Sequence, residues 1–212
     1  MNILPNIKIL DLALHVDSTL VIADVHIGYE EALNKQGILV PRTQFSDILK
    51  RINGIFNKLK GKKIGRIIVN GDLKHEFGTI SEQEWRNTLK FLDLLAGHCK
   101  EVILIKGNHD NILGPIARKR NIKVLDYFVI EPITKESINK KTSIIKKPLK
   151  IIKKQPKDKI LIAHGNKIPN KELLKDVSTI IIGHEHPAVS LKECPRVEKF
   201  KCFLKEDIKA KT

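Results

Sequence analysis

The sequence predicts an α/β fold, and three observations predict it. Five short apolar runs rich in β-branched residues, at 19–23, 64–69, 101–106, 159–163 and 179–182, read as buried strands. Segments with apolar residues at helical spacing separate the first three runs, so strand and helix alternate. Every run ends in a polar loop carrying Asp, Asn or His, at the edge where open α/β sheets bind ligands.

Taken in order, residues 7–16 alternate loosely and read as one strand, with Asp17-Ser18 as a turn. The strand from Thr19 to Ala23 ends at Asp24-Val25-His26, and a short helix follows around Tyr29 to Lys35. Pro41 opens a longer helix whose Phe45, Ile48, Leu49, Ile52, Ile55, Phe56 and Leu59 keep helical spacing, and Gly61 ends it. The strand Ile64 to Val69 ends at Asn70-Gly71-Asp72. Ser81 with Glu84 forms a capping-box pattern, which starts a helix with Trp85, Leu89, Leu92 and Leu95 on one face and Gly97 at its close. The run 101–106 leads into Gly107-Asn108-His109-Asp110; a helix around 112–120 and a strand around 122–130 come next.

Residues 131–159 differ: apolar periodicity fades and lysine dominates. They are expected to be an insertion, a long loop or a hairpin through Thr142 to Ile152, within a single domain spanning 1–212. The strand Lys159 to Ala163 then ends at His164-Gly165. A short helix near 170–175 leads to Thr179 to Ile182 and to Gly183-His184-Glu185-His186, and the tail holds two strand-like pieces, 187–192 and 198–204.

The net charge of +15 on 212 residues suits a polyanionic partner, and equally a lysine- and isoleucine-rich composition with no such meaning. No apolar run reaches bilayer length, and the N-terminus lacks the basic start and apolar stretch of a signal peptide, so a cytoplasmic location is expected, without a membrane partner. Cys99, Cys194 and Cys202 are odd in number and far apart, which points to neither a disulfide framework nor a zinc knuckle.

The five strand ends carry Asp24/His26, Asp72, Asn108/His109, His164 and His184/His186. Residues two apart on an extended chain face the same way, so each D-x-H or H-x-H pair can reach one point. Carboxylate, imidazole and amide ligands without thiolate suit manganese, iron, nickel or zinc. With His109 left to move a proton, the other seven exceed what one ion needs and fit two ions bridged by a carboxylate, a site that performs in-line displacement at phosphorus. His15 and His98 lie outside this pattern and read as surface or core histidines.

The series Asp-x-His, Gly-Asp, Gly-Asn-His-Asp, His-Gly, Gly-His-x-His over residues 19–186 resembles the calcineurin-like metallophosphoesterase family. The resemblance implies a four-layer sandwich of two mixed β-sheets flanked by helices. It implies one divalent metal held by Asp24, His26 and His186, a second held by Asn108, His164 and His184, and Asp72 bridging them, with manganese the first choice. His109 would be the catalytic imidazole, with Asp110 as its partner. Gly71-Asp72-Leu73-Lys74-His75 resembles the repair-nuclease (SbcD-like) branch, with Lys74 where that branch has Phe, and lacks the Asp-Arg of the Ser/Thr phosphatases. Together with the stretch Ala23 to Glu30 and Lys74-His75-Glu76-Phe77-Gly78, it looks like a small archaeal-type group related to those nucleases. His75 reads as a second proton donor, a phosphate contact or a surface histidine.

The expected activity is therefore hydrolysis of phosphate esters, diesters before monoesters, by metal-activated hydroxide. The substrate class is nucleic acid or nucleotides. The alternatives are a small-molecule phosphomonoesterase and a non-catalytic nucleic-acid-binding protein on the same fold. The lysines between 131 and 159, among them Lys146, Lys147, Lys153 and Lys154, would meet a phosphate backbone.

Overall fold

The computed structural model describes residues 1–4, 6–78, 80–110, 112–131 and 159–207. The expected insertion at 131–159, with its hairpin through Thr142 to Ile152, lies almost wholly outside the described residues.

The element order is β1 (Asn2–Leu4), β2 (Ile7–Leu10), β3 (Ala13–Val16), β4 (Thr19–Ala23), α1 (Tyr29–Lys35), α2 (Gln44–Lys58), β5 (Ile64–Asn70), α3 (Glu82–Ala96), β6 (Cys99–Ile105), α4 (Leu113–Lys119), β7 (Lys123–Leu125), β8 (Tyr127–Ile130), β9 (Lys159–Ala163), β10 (Val177–Ile181), β11 (Ala188–Glu193) and β12 (Arg196–Lys201). Strands β1 to β7 form one sheet in sequence order. Its first four strands pair antiparallel, and β4 to β7 pair parallel. A second mixed sheet has the order β10-β9-β8, and β11 with β12 makes a separate hairpin.

Period-two alternation divides the core. Leu20, Ile67, Val69, Val102 and Leu104 point to one face and pack under α2, α3 and α4 through Ile52, Ile55, Phe56, Leu89, Leu92, Leu95 and Ile116. Val21, Ile68, Ile103 and Ile105 point to the other face and meet Ile160, Ile162 and Ile181 of the second sheet. Strands buried on both faces must be apolar throughout, which explains the uninterrupted runs in β4, β5 and β6. The α/β class and the two mixed sheets with helices are as expected. Among the described residues, the longer helices cover the outer face of the large sheet.

Local differences have local causes. Residues 7–16 are not one strand but the hairpin β2-β3, folded at Asp11-Leu12, with Asp11 left-handed at φ 57°. The run 122–130 splits at Asp126 into β7 and β8, so the chain leaves the large sheet there and enters the small one. The expected helix at 170–175 is a series of turns with mainly i→i−3 bonds, one of them begun by Asn170 Oδ1 accepting from the Glu172 amide. Helix α2 starts at Gln44 rather than Pro41, because the Glu30 carboxylate of α1 accepts the Gln44 amide at 2.9 Å and so caps the helix from outside. Ser81 Oγ accepts the Glu84 amide at 3.1 Å as the capping box requires, but the Glu84 carboxylate goes elsewhere.

Parallel pairing puts the C-terminal ends of β4, β5 and β6 at one edge. Asn70 Nδ2 donates to the Ala163 carbonyl at 3.0 Å and brings the end of β9 to the same place. No described helix is long and apolar enough to cross a membrane.

Ile103 sits between the sheets at 1% exposure. Ile103→Ala should lower unfolding free energy by roughly 2–5 kcal/mol in a denaturant titration. A loss below about 1 kcal/mol would contradict this packing.

Candidate metal centre

The strand ends are turned sharply. Nine described non-glycine residues have positive φ, and five of them are expected ligands: Asp24 (52°), His26 (48°), Asp72 (46°), His184 (67°) and His186 (44°). Each such residue costs on the order of 1–3 kcal/mol, and strain of this kind gathers at functional sites. Two glycines make the approach feasible. A Cβ on Gly71 would lie 2.0 Å from His164 Nδ1, and one on Gly107 would lie 2.1 Å from Asp72 Oδ1. No side chain fits at either position.

All seven expected ligands converge. Donor atoms of Asp24, His26 and His186 lie within 4.8 Å of one another, and so do those of Asp72, His164 and His184. His26 Nε2 and His186 Nε2 are 3.3 Å apart, and Asp24 Oδ1 is 3.6 Å from His186 Nε2. In the second group, His164 Nε2 is 3.3 Å from Asp72 Oδ2 and 3.0 Å from Asn108 Oδ1. Asp72 Oδ2 is also 3.8 Å from His26 Nε2, which places this carboxylate between the groups. Separations near 3 Å are about the edge of a coordination shell with arms of about 2.1 Å.

Neighbouring groups orient the ligands. His164 Nδ1–H donates to the Asn70 carbonyl at 3.2 Å, which turns Nε2 toward Asp72 and Asn108. The His184 amide donates to both Asp24 oxygens at 3.1 Å. Burial pushes the Asp24 carboxyl up, partly offset by that amide. Burial also acts to raise Asp72, but bonds from His164 and from the His109 amide hold it down to about 2. Burial, with His109, His186 and His75 nearby, pushes His26 down to about 4 despite Asp72. Its ring is therefore neutral, as a ligand must be. The donor set is oxygen and nitrogen, with an ionised carboxylate between two groups of imidazoles, and it fits a pair of divalent ions.

His109 and His75 stand beside this set. His109 Nδ1–H donates to the His75 carbonyl at 2.5 Å, so Nε2 faces Asp72 Oδ2, 4.0 Å away. His75 Nδ1 is 3.5 Å from His26 Nδ1. His75 is thus part of the cluster and not a surface histidine. The His75 carbonyl, and not Asp110 as the sequence suggests, orients the His109 imidazole. Asp110 Oδ2 instead accepts the Gly107 amide at 3.0 Å and braces the loop.

Two further residues emerge only from the structure. Lys74 is fully buried, and its Nζ donates to the His109 carbonyl at 2.5 Å and to the Glu76 carbonyl. Glu84, 1% exposed, accepts the His75 and Glu76 amides at 2.9 and 3.1 Å. Together they tie the loop after β5 to the loop after β6 and to helix α3. Burial pushes the Lys74 ammonium down, opposed by Glu84, Asp110, Glu76 and Asp72. In the sequence, Lys74 is visible only as a departure from the nuclease motif, and Glu84 only as half of a capping box.

Lys74→Met should lower stability by roughly 1–3 kcal/mol for each of the two carbonyls, those of His109 and Glu76, that it leaves without a donor. Chemical denaturation measures this, and a loss below about 1 kcal/mol would mean that Nζ does not bridge the loops.

Comparison with known proteins gives a family. The calcineurin-like phosphoesterase family model matches residues 18–202. The nuclease MPE of Pseudomonas putida is 20% identical over 87% of this chain and 70% of its own, with a TM-score of 0.52. A protein of unknown function from Aquifex aeolicus is 20% identical over 79% of this chain and 78% of its own, with a TM-score of 0.44. Vacuolar protein sorting 29 from Cryptosporidium parvum is 17% identical over 84% of this chain and 70% of its own, with a TM-score of 0.36. No curated protein matches the chain. The first of these structures supports the fold alone; the family rests on the match over most of the chain, and the chain belongs to the calcineurin-like phosphoesterases, metal-dependent hydrolases of phosphoric esters.

Proposed function

We propose that the protein is a phosphodiesterase acting on nucleic acid or nucleotides with two divalent metal ions, manganese in the first instance. Asp24, His26 and His186 would hold one ion and Asn108, His164 and His184 the other, with Asp72 shared. When bound, such ions polarise the phosphoryl group and supply a nucleophile near neutral pH.

The chain's own residues account for the rest. His109, its Nδ1 pinned by the His75 carbonyl, can deliver a proton from Nε2 to the leaving oxygen when its ring is doubly protonated. An alkoxide is a poor leaving group, so a proton donor at this position gains most with alkyl and nucleoside esters and least with p-nitrophenyl esters. His75 lies 5.2 Å from His109, ring centre to ring centre, and is a second donor or a phosphate contact. The observation that carries the reading is this pair of stacked imidazoles on one flank of the shared carboxylate. Among the described residues, Asp24 and Asp72 pair with imidazoles alone. Support for nucleic acid comes from the net charge of +15 and from the lysines between 131 and 159. The neighbouring Pseudomonas putida protein is itself described as a nuclease. The SbcD-like motif Gly71-Asp72-Leu73-Lys74-His75 supports the same branch.

A panel with manganese tests the proposal: bis-p-nitrophenyl phosphate, its monoester, and single- and double-stranded DNA and RNA. Diesters should be turned over faster than the monoester, and His109→Ala should lower turnover by roughly 10²–10⁴-fold, least for p-nitrophenol esters. A monoester hydrolysed far faster than every diester would establish the phosphomonoesterase reading instead. Nucleic-acid binding with no hydrolysis of any ester would establish the non-catalytic one.

A further inference from the structure

The two imidazoles are bracketed by two rings that catalysis by metal ions and histidine leaves unused. The Phe77 ring lies on His109 with centroids 3.7 Å apart and planes inclined at 32°. Tyr29 meets the edge of His75 at 4.9 Å. The four rings therefore form a row, Tyr29-His75-His109-Phe77, along one flank of the metal centre. Phe77 is 54% exposed and Tyr29 is 45% exposed, so about half of each residue is open to solvent beside the cluster.

Neither ring sits on a loose loop. The Lys74 ammonium holds the Glu76 carbonyl next to Phe77, and the Glu84 carboxylate holds the His75 and Glu76 amides. The Tyr29 amide donates to the His26 carbonyl at 3.2 Å as α1 begins. These bonds thus fix the main chain from which two exposed aromatic side chains project beside the group that would protonate the leaving oxygen. A phenylalanine ring offers no donor or acceptor. Its use at a hydrolytic site is contact with a flat or apolar part of the substrate.

We propose that Phe77 and Tyr29 form a base-stacking rim that holds the nucleobase on the leaving side of the scissile phosphodiester. This rests on the phosphodiesterase reading above. Every base has a π-face, so such a rim adds affinity without selecting sequence. It requires an unstacked base, which a single strand or a strand end supplies. Its specificity is for a nucleoside over a bare sugar or alkyl leaving group.

The test uses the full chain with manganese and two dinucleotides: thymidylyl-thymidine, and the same molecule with an abasic tetrahydrofuran in place of the leaving nucleoside. For the wild type, kcat/KM should favour the base-bearing substrate by roughly 5- to 100-fold, mainly through KM. Phe77→Leu and Tyr29→Leu should each reduce that ratio, the double variant should bring it near one, and Phe77→Tyr should keep it. A ratio unchanged in the double variant overturns the rim, and so does an equal fractional loss on both substrates, which would mean that the rings act only by positioning the histidines. If the wild type hydrolyses p-nitrophenyl esters but neither dinucleotide, the nucleic-acid reading falls and takes the rim with it. If it cleaves both dinucleotides equally, the nucleic-acid reading stands and the rim alone is wrong.

Discussion

One carboxylate, that of Asp72, sets the layout of this protein. It is 2% exposed at the end of β5, within 4.0 Å of nitrogens of His26, His109 and His164. An ionised carboxylate so deeply buried is tolerable only if it is paired and hydrogen-bonded. The strands that surround it supply those partners: β4 sends His26, β6 sends the His109 amide and imidazole, and β9 sends His164. Parallel pairing of β4, β5 and β6, with β9 laid across from the second sheet, is the arrangement that puts these ends together. The left-handed turns at five of the expected ligand positions follow from the same demand, since extended strands must stop and point inward within one or two residues.

Around that centre lies a layer that does not face a substrate. Lys74 and Glu84 are both buried, and both bond to backbone atoms of the site loops rather than to side chains. Because these bonds fix the main chain, they fix the directions in which His75, His109 and Phe77 project. The strain in the turns and the buried charges of this layer work against stability. The apolar packing of the large sheet against α2, α3 and α4 on one face, and against the second sheet on the other, opposes them.

Much of this is legible in the sequence because burial on both faces forces unbroken apolar strands, and because ligands must follow strand ends. The strands at 19–23, 64–69 and 159–163 and the helix at 29–35 are read nearly to the residue. What escapes depends on tertiary partners. The split of 122–130 reflects a change of sheet at Asp126, which no local pattern encodes. The start of α2 depends on Glu30, fourteen residues earlier than the amide it caps. At 170–175 most bonds close over three residues and one over four, so the segment is a series of turns and not a helix. At the site, Asp110 follows His109 in sequence but accepts the Gly107 amide, and the carbonyl that holds the imidazole comes from His75 on another loop. Neighbours in sequence are poor guides to partners where three loops meet.

In the proposed function, one carboxylate, that of Asp72, would be shared between two metal sites. Electron paramagnetic resonance of the manganese-loaded protein, with metal content measured on the same sample, tests it most directly. The account predicts two manganese ions per chain and a spectrum showing exchange coupling between them, as a shared Asp72 requires. One ion per chain, or two ions with the signal of isolated manganese, would contradict it.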